Sequence, residues 1–242
     1  GFGTAGFHHQ ASTMISVSSG RHKAIILSCF VACGNLGFAL SLLVLPPFFE
    51  RFGLQATPFT VIPGVVVALL LYFYAPKTEY LKGTASSLKE VLQSLHSASK
   101  ELVLIILIIA IRTLAYSGLL ALFPLYFSTK ELSISWNNLM FIMLFCGAIG
   151  GIFGGFLSDH FGRKKLIVTS LFLTTPLFFL FFFTSGIIST ILLALSGAGL
   201  LSSFSVTVVA AQETIPNNKS LAAGISMGFA GGLGSLLVVL IG

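Results

Sequence analysis

The sequence predicts an all-α, polytopic transmembrane helical bundle of about eight spans, on three observations: its composition, the spacing of its apolar runs and the placement of its basic residues. Hydrophobic residues make up 55% of the 242 positions and charged residues 8%, with a mean hydropathy of +1.00. A soluble domain of that composition would expose large apolar areas to water, so the solvent for most of this chain is lipid. Crossing a ~30 Å hydrocarbon core takes about 20 largely apolar residues, so length here counts spans rather than globular domains. The formal charge of +6 would suit nucleic acid on a soluble surface, but in short loops between spans it reads as membrane orientation. No nucleic-acid partner is therefore expected.

Eight apolar segments follow, at about 1–18, 24–46, 56–75, 101–123, 136–158, 166–184, 187–211 and 221–242. The first opens on Gly1-Phe2-Gly3 without an initiating Met, a basic region or a small-residue cleavage site, so it reads as a helix interior and not a signal peptide. The eighth is still apolar at Gly242, and the chain reads as truncated at both ends. Cys29, Cys33 and Cys146 all lie inside apolar segments without CxxC spacing, as small packing residues rather than a redox or zinc site. Pro63, Pro124 and Pro176 mark places where helices are expected to break or kink.

The loops alternate in character. Arg21-His22-Lys23, the stretch holding Lys77, Lys82, Lys89 and Lys100, Arg163-Lys164-Lys165, and Lys219 together hold ten of the thirteen Lys and Arg; Arg51 and Lys130 fall in the other set, and Arg112 lies inside a span. By the positive-inside rule the loops near residues 20, 90, 163 and 218 are cytoplasmic. Residues 76–100 form the one long connection, and the apolar spacing within 86–95 predicts a short amphipathic helix on that face. The chain accordingly divides into three spans over 1–75, a cytoplasmic linker over 76–100, and five spans over 101–242. Shifted by 197 residues, Gly34–Leu43 lies over Gly231–Leu240 with five identities in ten positions, which maps the second segment onto the eighth as two six-helix halves require.

The strongest local pattern is Gly155-Phe156-Leu157-Ser158-Asp159-His160-Phe161-Gly162-Arg163-Lys164-Lys165, between the fifth and sixth segments. Gly155 lets helices approach, Asp159 suits the N–H groups of a helix start, Gly162 permits a tight reversal, and the cations hold the loop inside. It resembles the loop signature of the major facilitator superfamily, G-x-L-small-D-basic-x-G-R-basic-basic, departing from it only at His160. A narrower resemblance, carried by Phe7–Ser12, Ser19-Gly20-Arg21, Gly34–Gly37, Ala211–Pro216 and Gly224–Phe229, is to the fosmidomycin resistance branch of that superfamily. It implies that the segments are helices 4 to 11 of twelve. It also implies a secondary carrier working by alternating access in the bacterial inner membrane, with proton-driven efflux of a small drug-like or anionic compound. Its expected partners are the lipid bilayer, a small-molecule substrate and protons, with no cofactor. His9 and Gln10 stand where that branch usually has Pro and Glu, so an acidic group suited to proton coupling is absent.

Arg112 lies near mid-bilayer, where a cation is costly and kept for a partner or a function. With Tyr116 one turn on, it reads either as a grip for an anionic group or as a strut bonded to backbone carbonyls. His8 and His9 lie at similar depth, as proton or substrate handlers or as struts between helices. Gly147, Gly151 and Gly155, with Gly150 and Gly154 alongside, and Gly224, Gly228 and Gly232 form small-residue faces for close packing. In the superfamily a carboxylate at the level of Glu213 completes a charge relay with the loop signature, and the resemblance implies a gate of Asp159, Arg163 and Glu213. No HExxH, GxSxG or metal-spaced cluster accompanies His8 and His9, so the chain is not read as an enzyme. The alternative reading is a non-transporting membrane component or an inactive fragment of a carrier gene.

Overall fold

In the computed structural model, residues 7–8, 10–15, 19–20, 22–74, 99–128 and 135–241 are described. His9, Arg21, and the linker with its amphipathic helix at 86–95 lie outside the described residues. The rest is helical, with no strand among the described residues. After a helical stretch at 10–15 come α1 (Lys23–Phe52), a 3-10 turn and α2 (Val61–Tyr74), α3 (Ser99–Ser128), α4 (Trp136–Phe161), α5 (Arg163–Phe183), α6 (Gly186–Ser202) and α7 (Phe204–Thr214). A 3-10 turn then leads to α8 (Lys219–Ala223), a π-helical stretch (Gly224–Ala230) and α9 (Gly231–Ile241). Among the described residues, seven helical runs are long and apolar enough to cross a membrane, matching the second to eighth segments.

Side chains of Leu, Phe and Met gain nothing by leaving lipid for one another, so close backbone approach has to hold such a bundle together. Helix α4 shows how. A Cβ on Gly150 would strike the backbone of Ala198, and one on Gly154 would strike Ser202, so these two glycines seat α4 against α6. Gly155 faces the other way, against Ala24 and Ser28 of α1. The expected glycine face of α4 therefore serves two neighbours. Between them lies an apolar cluster of Ala39, Phe123, Met140, Met143, Leu144, Phe181, Leu193 and Leu201, drawn from α1, α3, α4, α5 and α6. Every residue of α2 is exposed, as suits a helix facing lipid.

The eighth segment packs differently from its sequence reading. Gly224 and Gly232 have open space where a Cβ would stand, whereas Gly234 sits against Ala110 and Thr113 of α3. Counting every fourth residue assumes an α-helical turn, and the π-helical Gly224–Ala230 rotates all that follows onto another face. The repeat partners Gly37 and Gly234 are likewise used unequally, Gly37 having open space. None of the three prolines breaks a helix. Helices α3 and α5 continue through Pro124 and Pro176, and Pro63 lies in the first turn of α2, where its missing N–H costs little. The break occurs at Ser203, between α6 and α7.

Two measurements follow from this packing. Gly154→Val should push α4 from α6 and lower the detergent melting temperature, at a cost of about 1–3 kcal/mol, while Gly232→Ala should leave it unchanged; equal behaviour of the two would contradict the glycine contacts. The ends bearing His22, Gly162 and Pro216 lie together, opposite those bearing Gly53 and Ser185. In a cysteine-free background, Lys164→Cys should therefore resist an impermeant thiol reagent on intact cells and Ser185→Cys should react, and the reverse result would invert the orientation.

Candidate functional site

At the Lys23 end of the bundle the first N–H groups of α1 have no acceptor of their own, since His22 gives no side-chain cap and the first turn lacks an acid. Asp159, at the far end of α4, supplies one from 134 residues away. Its Oδ2 accepts from Ile25 N at 3.1 Å and its Oδ1 from Ala24 N at 3.4 Å, which sets a carboxylate on the positive end of the α1 dipole. The contact with Gly155 one turn back brings the two helices close enough for this. Gly162, with φ +95°, then reverses the chain between α4 and α5, a conformation that favours glycine.

That reversal places Arg163 over the same carboxylate. Its Nη1 donates to Asp159 Oδ1 at 2.5 Å and Ser158 Oγ at 3.0 Å, while Nη2 and Nε reach Glu213 Oε1 and Oε2 at 3.1 and 3.4 Å. All three nitrogens are thus engaged, in a fork that a lysine could not reproduce. The two acids differ in setting: the Asp159 side chain is 3% exposed and that of Glu213 is 42%. Asp159, Gly162, Arg163 and Glu213 come together as expected, with Gly155 beneath them. Lys164 is exposed and takes no part in the cluster, and His160 turns back to the carbonyl of Phe156 in its own helix.

The family model of the Major Facilitator Superfamily matches residues 1–239. The chain belongs to the major facilitator superfamily. It is 31% identical to the uncharacterized MFS-type transporter YfnC of Bacillus subtilis (strain 168) and 26% identical to the fosmidomycin resistance protein of Escherichia coli (strain K12). Each alignment takes in the whole chain and 61% of the relative's length. No solved structure matches the chain. Membership and the seven helical runs long and apolar enough to cross a bilayer make this a multi-pass membrane protein.

The second group of candidates lies deeper in this superfamily bundle. Arg112, near the middle of the span Lys100–Phe127, is 4% exposed. Its Nη1 donates to the Ser203 carbonyl at 3.0 Å and to Thr207 Oγ1 at 2.8 Å, and the guanidinium lies 4.5 Å from the centre of the Phe204 ring. It thus serves the carbonyl at the helix break between α6 and α7. No carboxylate pairs with it among the described residues. Arg112 also lines a cleft of about 790 Å³ between α3, α5 and α6, with Leu119, Tyr126, Thr174, Phe178 and Leu200. Nε and Nη2 make no hydrogen bond among the described residues.

The other candidates do not gather there. Tyr116 packs against the central apolar cluster and is not among the residues lining the cleft. His8 is exposed and meets Phe30 of α1 edge-on at 5.8 Å, and Gln10 is exposed on the same stretch. Neither is a partner of Arg112. Sequence reasoning missed the polar seam inside the bundle, where Ser28 of α1 bonds Ser205 of α7 and Thr207 meets Arg112. Its signal was Ser202-Ser203-Phe204-Ser205, three hydroxyls in four residues of an apolar segment. Those of Ser202 and Ser203 turn back to carbonyls three residues earlier, a bond that loosens helices.

Proposed function

We propose that the chain carries the cytoplasmic gate and part of the cargo pathway of a secondary carrier that works by alternating access. The observation that carries this reading is the position of Asp159. Arg163 and Glu213 both belong to elements after residue 99, so their pair lies within one side of the linker. Of these three side chains only Asp159 bonds across it, to the start of α1 before the linker. Glu213 holds Arg163, Arg163 orients Asp159, and Asp159 fastens the cytoplasmic ends of α1 and α4. Parting them frees two N–H groups and a carboxylate that water can solvate, so the contact is reversible where the intracellular ends are wet and costly where they are dry.

The cargo is a small drug-like or anionic compound. A guanidinium with no paired acid and two unbonded nitrogens among the described residues, set on a cleft wall, suits an oxyanion, and the E. coli relative is named for resistance to fosmidomycin. Export coupled to protons, in a bacterial inner membrane, is drawn from the resemblance to that branch and from two bacterial relatives. The non-transporting alternative finds no support in a gate whose residues are all in register.

Neutralising the gate should shift populations without unfolding the protein. With Val209→Cys as a buried reporter beside α1, alkylation from the cytoplasmic face should rise about thirtyfold in Asp159→Asn, which loses charged bonds of roughly 2 kcal/mol. Glu213→Gln, half-exposed, should give about fivefold or less. The double variant should fall short of the product of the two, because both loosen one network; multiplying effects would make Glu213 a bystander. For the cargo, Arg112→Lys should insert normally and weaken fosmidomycin export about tenfold in KM, through loss of the planar fork. An unchanged KM with a lowered melting temperature would assign Arg112 to holding the Ser203 break alone.

A further inference from the structure

Gln212 lies on α7 beside Glu213 and is 2% exposed. Its Oε1 and Nε2 are both buried with no hydrogen-bond partner among the described residues. The other polar side chains buried in α7 are provided for. Ser205 bonds Ser28, and Thr207 accepts from Arg112 and donates to the Phe204 carbonyl. Helical spacing puts 205, 208, 209 and 212 on one face, and on that face Ser205 meets Ser28 while Val208 and Val209 pack on Ala24 and Leu27 of α1. Gln212 therefore sits at the cytoplasmic end of the seam between α1 and α7, a turn below the valines and next to the gate. Its amide brings two donors and an acceptor into that seam, and while the seam is shut it has neither a hydrogen-bond partner among the described residues nor bulk water.

Opening the gate wets this end of the seam and solvates the amide. A hydrophobic residue of the same size would lose nothing on closing and gain nothing on opening. We infer that Gln212 is a counterweight to the inner gate: its dry, unpaired amide destabilises the closed arrangement that Asp159, Arg163 and Glu213 hold together. The balance has a function, since a latch without an opposing term traps a carrier in one state, and cycling requires two states of similar free energy. This inference rests on the gate reading above.

The test uses the carrier as its gene encodes it, with Cys29, Cys33 and Cys146 replaced and Val209→Cys as reporter, in inside-out vesicles treated with N-ethylmaleimide. Gln212→Leu and Gln212→Met should each slow alkylation about tenfold and raise the melting temperature, because they remove an uncompensated polar group from the closed state. Unchanged or faster alkylation, or a lower melting temperature in both variants, overturns the inference, since the amide then has compensation in the closed state. Asp159→Asn, measured alongside, separates the two ideas. If it accelerates alkylation while the Gln212 variants do nothing, the gate stands and the counterweight falls; if it has no effect, both fall.

Discussion

A backbone group that leaves its helix inside a bilayer has no water to bond, and the architecture of this bundle turns on how such groups are satisfied. At the α6–α7 break the Ser203 carbonyl accepts the Thr207 N–H at 3.0 Å, and Arg112 from α3 donates to it as well. The start of α1 leaves N–H groups unpaired, and Asp159 takes them up from α4. In the π-helical stretch Ser226 bonds the carbonyls of Ala222 and Ala223. Each irregularity is thus tied to a side chain that fixes its place, and the first two tie together helices distant in sequence. A regular set of straight helices would need none of these ties and would also have no defined place to open.

Packing without a hydrophobic driving force explains why the Asp159–Arg163–Glu213 cluster lies where it does. Helix α4 is pressed to α6 by Gly150 and Gly154 and to α1 by Gly155. With its long axis fixed on both sides, its last turn delivers Asp159 to the end of α1, and the reversal at Gly162 delivers Arg163 to the same point. The glycines and the charged cluster are parts of one arrangement: the first set the approach of the helices and the second ties their ends with charged bonds.

The sequence made the local parts of this device legible and left their partners obscure. Asp159, Gly162 and Arg163 occupy a contiguous loop whose spacing dictates geometry, so their coming together was legible. Glu213 was placed by its depth and by the resemblance. The atoms Asp159 binds, the N–H groups of Ala24 and Ile25, are the same in any residue and carry no mark in a sequence. The burial of Arg112 was legible because a mid-span cation must be buried, but its acceptor was not, since the break at Ser203 carries neither Pro nor Gly. The glycine face at 224, 228 and 232 misled because one π-helical stretch invalidates counting by fours. Pro124 and Pro176 do not end their helices, because a membrane helix can carry a proline where neighbours absorb its effect. Tyr116 shares a helix with Arg112 but packs into the apolar cluster, since one turn does not settle which way a side chain faces.

Arg112 has a consequence of another kind. A fixed positive charge near the middle of a span sits within the electric field of an energised membrane, where moving one elementary charge through the full drop is worth about 2.3 kcal/mol per 100 mV. With no acid paired to it among the described residues, the empty bundle presents that charge to the field, and under the proposed reading an anion bound at the guanidinium would cancel it. Loaded and empty forms therefore differ in the voltage they feel. A resting potential that biases one leaves the other nearly untouched, so the step of the cycle most sensitive to voltage is the one in which Arg112 stands alone.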